Sequence, residues 1–266
     1  MIEVIEKAAR EAGKLLMEYF KKGVNVSYKG AHNDLLTEAD TASQTKIQQV
    51  ITDELIKKGI DKSEIGFLGE ENLLTQGKYT FIIDPLDGTV NFASGFKYFC
   101  IPIALFIANR ITAGVVYNPS ENILYLAEKG KGAYKIIDNK EIPLKVVRKE
   151  LKNSLISFLL SKNATVVNRQ LEFISKIYPM VRGLRSTHAT ALDICLCAEN
   201  VFQISHHSGC SIWDLAAAEL ILQEAGGVVL DKNGDEIQYD LTDPNKKYFY
   251  MAGSAEIVAE ILKYVK

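Results

Sequence analysis

Two aspartates three residues apart close an apolar run in Phe81-Ile82-Ile83-Asp84-Pro85-Leu86-Asp87-Gly88-Thr89. Hard divalent cations take oxygen ligands held at fixed angles, and two carboxylates on one stiff turn supply them. Pro85 makes the turn stiff by fixing φ and removing a backbone donor. Gly88 then lets the backbone approach a ligand closely. If Gly88 and Thr89 open a helical turn, their amides face an anion beside the cations. Taken alone, the segment is equally a strand-ending turn with an Asp cap, because Asp-Pro and Asp-Gly are common turn dipeptides.

Further acids stand at similar punctuation points. Glu70, in Gly69-Glu70-Glu71, follows the apolar run Ile65 to Leu68, and Asp214, in Trp213-Asp214-Leu215-Ala216, opens an alanine-rich helix. Asp34-Leu35-Leu36-Thr37-Glu38-Ala39-Asp40 carries Asp40 into a second helix start. Each of these has a plain reading as a helix cap or dipole partner. In this order in one chain they point to an all-oxygen cation site. Zinc would call for His or Cys clusters, and the chain lacks them. His206 and His207 are adjacent, and adjacent strand residues face opposite ways, so the pair is no chelate. Cys100, Cys195, Cys197 and Cys210 have no metal-finger spacing and read as reduced, partly buried thiols.

The elements that must position these acids follow from periodicity. Apolar residues from Ile2 to Phe20 recur at helical spacing, and Thr37 is a plausible N-cap for a second helix reaching Leu55. Strands are predicted at 65–68, 79–83, 101–107, 112–117 and 123–127, divided by turns such as Asn118-Pro119-Ser120. From about Leu151 strand and helix alternate: a strand at 155–159, a helix at 170–178, a helix at 189–198, a strand at 201–204. A helix at 213–225 ends in Gly226-Gly227, followed by strands at 228–230 and 248–251 and a terminal helix from Ser254. The predicted division is an N-terminal α+β domain, 1–147, with most of the acids, and a C-terminal α/β domain, 148–266, that contributes Asp214.

The 266 residues are 47% hydrophobic and 24% charged, enough for a large core and too apolar for disorder. Lys+Arg 31 against Asp+Glu 33 gives a net charge of -2, with no basic excess for nucleic acid. The N-terminus lacks a signal-peptide layout and no apolar run is long enough to span a bilayer as a helix, so a cytoplasmic protein without a membrane partner is expected.

On the Asp40 segment, Gly69-Glu70-Glu71, the run from Asp84 to Phe92, Trp213-Asp214 and Glu224-Ala225-Gly226-Gly227, the sequence resembles the inositol monophosphatase family, lithium-sensitive, magnesium-dependent sugar phosphatases. The likeness covers nearly the whole chain and is nearest to archaeal-type members that act on inositol monophosphate and fructose 1,6-bisphosphate. It implies a layered α-β-α-β-α sandwich, of mixed α+β and α/β class, and a homodimer. It also implies roles. Glu70, Asp84 and the Leu86 carbonyl hold one Mg²⁺; Asp84, Asp87 and Asp214 hold a second; a third, weaker ion sits near Glu70. Mn²⁺ is an alternative ion, and Li⁺ and Ca²⁺ are expected inhibitors. Thr89 orients the attacking water with Asp40 as its acidic partner, and the Gly88 and Thr89 amides hold phosphate. Lys29 falls at a mobile-loop lysine.

Such ligands suit the reaction, because phosphate monoesters hydrolyse very slowly and two Mg²⁺ ions address both the attacking water and the leaving oxygen. Substrate selection is expected from Asp87, Arg185, His188, Thr190 and His207. His188 stands at the family's usual Gly, Ala189 at a usual hydroxyl and His207 at a usual acid, so acceptors for sugar hydroxyls are replaced by imidazoles. Inositol monophosphate and fructose 1,6-bisphosphate are the expected substrates. 3′-Phosphoadenosine 5′-phosphate and histidinol phosphate are alternatives, as is a regulatory, RNA-associated binding protein on the same fold.

Overall fold

A computed structural model describes residues 1–23, 26–28, 35–161 and 163–265. Helix α1 (Ile2–Lys22) buries Val4, Ile5, Ala8, Ala9, Ala12 and Leu16, the stripe expected of its periodicity. A short antiparallel pair, β1 (Val26–Tyr28) and β2 (Leu35–Thr37), leads into α2 (Glu38–Lys57). Thr37 caps α2 in a capping box whose acid is Asp40.

The first sheet comprises β3 (Ile65–Gly69), β4 (Leu73–Thr75) and β5 (Tyr79–Ile83), then, after the short helix α3 (Thr89–Ala93), β6 (Ile101–Ile107), β7 (Arg110–Asn118), β8 (Ile123–Glu128), β9 (Ala133–Ile137) and β10 (Lys140–Pro143). Its order is β10-β9-β8-β7-β6-β5-β3-β4, antiparallel except for the β3/β5 pair. The second sheet draws on β11 (Leu155–Leu159), β12 (Gly183–Arg185), β13 (Ile204–Cys210), β14 (Val228–Leu230) and β15 (Tyr248–Gly253), in the order β12-β11-β13-β15-β14. Between these strands run α4 (Ala164–Ile177), α5 (Thr190–Ala198) and α6 (Ile212–Glu224), and α7 (Ala255–Leu262) closes the chain.

Alternation along the strands sets the layers. Ile101, Ile103 and Leu105 of β6 face the core shared with α1 and α2, whereas Ala104 and Phe106 face the core built on α5 and α6. Helix α6 is apolar nearly all round because both sheets cover it. It lies so close to the first sheet that a Cβ on Gly114 would meet the Ala217 carbonyl oxygen at 2.7 Å. Beyond the second sheet, Phe173 and Ile177 of α4 and Ile257, Val258 and Ile261 of α7 pack on Ile156, Ile204 and Met251. The result is the α-β-α-β-α sandwich. All four cysteines are free and buried. Among the described residues no helix is long and apolar enough to cross a membrane.

Two predicted elements are displaced. The strand expected at 201–204 instead runs Ile204–Cys210. Phe202 is apolar because it is buried in a loop, while the strand itself reads Ile-Ser-His-His-Ser-Gly-Cys. Two of its buried polar side chains find partners on β15: Ser205 and the Tyr250 hydroxyl lie 2.9 Å apart, and His206 Nδ1 is 2.7 Å from the Tyr250 carbonyl. Helix α4 starts at Ala164 rather than 170, where Asn163 caps it by accepting from the amides of Thr165 and Val166.

Candidate active site

Strand pairing brings the first two acids together. The parallel register sets Gly69 beside Ile83, so the next residue of each strand, Glu70 and Asp84, emerges at the same sheet edge. Carboxyl ends of parallel strands are where open sheets place their ligands. The Asp84 carboxylate accepts the Leu86 amide at 2.9 Å, which folds the Pro85 turn back on itself. Asp87 and Cys100 exchange backbone hydrogen bonds at 2.9 Å, anchoring the end of that turn to the strand that leads into β6.

Gly88 has φ 95° and precedes α3, a left-handed conformation that suits glycine. A Cβ there would approach the Tyr98 carbonyl oxygen to 3.0 Å. Thr89 follows as the first residue of α3. Its hydroxyl lies 3.2 Å from Asp40 Oδ1 and 3.1 Å from the Leu86 carbonyl oxygen, so its single proton is shared between two acceptors. The other oxygen of Asp40 accepts from the Thr37 amide at 2.9 Å and the Thr37 hydroxyl at 2.5 Å.

The second half of the chain supplies Asp214, third residue of α6. It repeats the Asp40 arrangement: Ser211 and Asp214 form a capping box, with the Ser211 amide donating to Asp214 Oδ2 at 2.9 Å. Asp214 lies close enough to Asp84 to raise its proton affinity. Helix α5 meets Asp87 end-on, its Thr190 amide donating to Oδ1 at 3.1 Å and its Ala191 amide to Oδ2 at 2.7 Å. Buried anions at a helix N-terminus are stabilised by those amides and the helix dipole.

The proximity of these acids raises their proton affinities. Burial pushes the Asp84 carboxyl well above the usual range, and Glu70, Asp214 and Asp87 push it further. Asp87 is raised by burial and then by Asp214, against the lowering effect of the Ala191 amide. Asp214 is pushed up to about 6 by burial and Glu70, against the Ser211 amide and Lys247. Among the described residues no group of three or more His, Cys, Asp or Glu side chains is already drawn into a cage around an ion position. The donor set is oxygen throughout, as a hard divalent cation requires, and a cation would relieve the repulsion.

The substrate-side expectations are more scattered. Thr190 is buried at the α5 start. His188 is exposed, has φ 58° and lies 3.4 Å from the Ser186 hydroxyl. His207 faces away from His206, as predicted for neighbours on a strand. His206 packs against Phe173 and Phe249, whereas His207 has a buried Nδ1 with no hydrogen-bond partner. Burial, with His206, Lys247 and His188 nearby, lowers the His207 pKa to about 4. Arg185 sits on the edge strand β12, exposed, and donates to its neighbour's carbonyl, Leu184, at 2.8 Å. Lys29 lies outside the described residues.

Sequence reasoning missed Lys247. Its Nζ donates to the Ser211 hydroxyl at 2.5 Å and lies 5.7 Å from the centre of the Trp213 ring, beside the cap that holds Asp214. It stands in an ordinary polar turn before β15, so no spacing marked it. A cavity of about 890 Å³ lies elsewhere, lined by Glu219 and Gln223 of α6 and by Lys129 and Tyr239, and contains none of the clustered acids.

Known proteins resemble this chain along nearly its whole length. The description "Inositol monophosphatase family" matches residues 1–264. The Nus factor SuhB of Haemophilus influenzae is 33% identical over 235 residues, 87% of this chain and 85% of that protein. Human inositol monophosphatase 1 is 32% identical over 232 residues, 85% and 81% of the two chains. The crystal structure of the extragenic suppressor protein SuhB from Bartonella henselae superposes with a TM-score of 0.87 at 29% identity, covering 99% of this chain and 97% of that one. An IMPase of Thermotoga maritima gives a TM-score of 0.81 at 28% identity over 97% and 94%. Layer order and sequence likeness run together from one end of the chain to the other, and the chain belongs to the inositol monophosphatase family.

Proposed function

We propose that this chain hydrolyses a small phosphate monoester with Mg²⁺ as cofactor. The reading is carried by one observation: Glu70, the Asp84/Asp87 turn and Asp214, from three separate segments, meet closely enough that Glu70, Asp214 and Asp87 raise the proton affinity of Asp84 and Asp214 raises that of Asp87. These carboxylates and the Leu86 carbonyl would hold two or three ions. Bound there, Mg²⁺ supplies the positive charge that offsets charge on the phosphoryl and leaving oxygens.

The chain's own groups do the rest. With its proton turned to Asp40, Thr89 presents its hydroxyl lone pairs to an incoming water and aligns it. The Gly88 and Thr89 amides, at the start of α3, would take phosphoryl oxygens. Asp87 is held by two α5 amides, so its position is fixed before substrate arrives. Burial keeps His207 an uncharged imidazole at neutral pH, and its buried Nδ1 has no hydrogen-bond partner within the protein. Arg185, His188 and Thr190 would complete the substrate side, with Lys29 as a loop lysine.

Inositol monophosphate and fructose 1,6-bisphosphate are the proposed substrates, with 3′-phosphoadenosine 5′-phosphate and histidinol phosphate as alternatives, and a cytoplasmic homodimer as the working form. The test is phosphate release from these four esters with Mg²⁺ and with EDTA. Mg²⁺-dependent release from either sugar ester supports the reading, and no release from any of the four sinks it.

The relative named a Nus factor favours a second reading, a binding protein that keeps the fold. A net charge of -2 weighs against direct nucleic-acid contact. Under this reading a partner would bind equally well to wild type and to Asp84→Asn, and no turnover would be found.

A further inference from the structure

Asp193 is the sole charged residue of α5 and is 5% exposed. Its carboxylate gathers three separate segments. The Thr187 hydroxyl lies 2.6 Å from each of its oxygens, the Tyr98 hydroxyl donates to Oδ1 at 2.6 Å, and the Ser157 hydroxyl of β11 donates to Oδ2. A buried carboxylate is tolerated when donors surround it in this way.

The same two outlying residues are gripped a second time, by their main chains. Asn91, buried in α3, donates its side-chain amide to the carbonyls of Tyr98 and Thr187, each at 2.7 Å. Thr187 is therefore fixed from both sides, by Asn91 through its carbonyl and by Asp193 through its hydroxyl. Directly after it the chain passes through His188 at φ 58°, a left-handed conformation that non-glycine residues adopt only when their flanks hold them. Two and three residues beyond His188, the Thr190 and Ala191 amides reach Asp87.

The geometry points to Asp193 as a positioning residue that holds Thr187, and through it the turn at His188, so that the Thr190 and Ala191 amides keep Asp87 in place. A hydrophobic side chain would fill the same volume without holding Thr187. The kinetic consequence rests on the phosphatase reading; the structural one does not.

The test uses the full chain with Asp193→Asn, Thr187→Val and Thr187→Ser. Asparagine keeps the volume but loses an acceptor, valine keeps the shape but loses the hydroxyl, and serine restores it. Three measurements are made: amide hydrogen exchange over 186–191, the thermal shift produced by Mg²⁺ alone, and kcat and KM. Asp193→Asn and Thr187→Val are expected to speed exchange at Thr190 and Ala191 about tenfold or more. They should raise the Mg²⁺ concentration for half-maximal thermal shift about tenfold and lower kcat up to about 100-fold, the cost of a small misplacement. Thr187→Ser should match wild type in all three. If Asp193→Asn does not fold, Thr187→Val against Thr187→Ser decides. Lower thermal stability with wild-type exchange over 186–191 and a wild-type Mg²⁺ response would overturn the proposal. A wild type that releases no phosphate removes the phosphatase reading alone, since exchange still decides this one.

Discussion

Thr89 and Asp40 lie 49 positions apart in sequence, yet the threonine hydroxyl is 3.2 Å from Asp40 Oδ1 while Asp40 Oδ2 caps α2 through Thr37. One carboxylate thus joins a helix start to the turn that carries Asp84 and Asp87. Asp214 does the same for α6, with Oδ2 on the Ser211 amide and its charge close enough to Asp84 to raise that carboxyl's proton affinity. Capping and site building are two uses of one side chain, because a carboxylate has more acceptor positions than a cap consumes.

The Thr89 hydroxyl should therefore matter through its hydrogen bonds rather than its bulk. Thr89→Val is expected to lower kcat by about 10²–10⁴, the usual worth of a positioned proton acceptor. Thr89→Ser should stay within about tenfold of wild type. Steady-state phosphate release at saturating Mg²⁺ checks both. Equal losses in the two variants would show that packing of the threonine methyl, not the hydroxyl, is what counts.

Asp84 sits at the centre of the crowded acids, so replacing it should separate activity from stability. Asp84→Asn retains an oxygen for the Leu86 amide and gains a donor for Asp214. Without metal it should be at least as stable as wild type, since one of several mutually repelling buried acids is gone. Turnover should fall by about 10³ or more, several kcal/mol of transition-state stabilisation. Urea titration in EDTA and phosphate release measure the two halves. A variant that is folded and fully active would remove Asp84 from the site.

How much of this could be read from the residues depended on where each signal lay. The Asp-Pro-Leu-Asp-Gly turn was legible because rigid turn chemistry is written in adjacent residues. Thr37 as an N-cap was legible for the same reason, and the structure keeps it. Strand β13 was misplaced because it runs through Ser205, His206 and His207 rather than apolar residues, and the partners that let Ser205 and His206 be buried lie across the sheet on Tyr250. Lys247 was invisible, since its contact with Ser211 exists only once β15 pairs with β13. The Asp193 latch offered a faint signal, one charge in the otherwise apolar Thr190–Ala198 run, but of its donors only Thr187 is a neighbour in sequence, and Tyr98 and Ser157 come from distant segments.

Divalent cations should stabilise this chain strongly, because binding relieves repulsion among acids that already face one another. At free Mg²⁺ 100 times its Kd the gain is about 2.7 kcal/mol. For a chain of this size that corresponds to about 5–10 °C in Tm. EDTA should abolish the increment, and Asp84→Asn and Asp214→Asn should each lose most of it. Differential scanning calorimetry with and without Mg²⁺ reads the effect. A Tm that ignores Mg²⁺ in wild type would mean that the carboxylates hold no cation.

Glu219 gives a pH dependence unconnected with the proposed ligands. It lies mid-way along α6, 5% exposed, where the Tyr239 hydroxyl donates to one oxygen and the Gln223 side-chain amide to the other at 2.8 Å. Burial pushes its carboxyl from the ordinary 4.5 up to about 7, even though both hydrogen bonds and Lys129 pull it down. Between those values the folded chain keeps a proton that the unfolded chain has lost, so stability falls as pH rises from about 4.5 to 7 and then levels off. At about 1.4 kcal/mol per pH unit the full span amounts to about 3 kcal/mol. Glu219→Gln removes this titration while keeping an acceptor for Tyr239. Relative to wild type, the variant should therefore gain about 3 kcal/mol between pH 4.5 and pH 8, and its disadvantage, if any, should appear only on the acid side. Paired urea titrations in EDTA cancel the other acids, which titrate alike in both proteins. Parallel stability curves for the two would show that Glu219 titrates near its ordinary value and that its burial is offset by Tyr239 and Gln223.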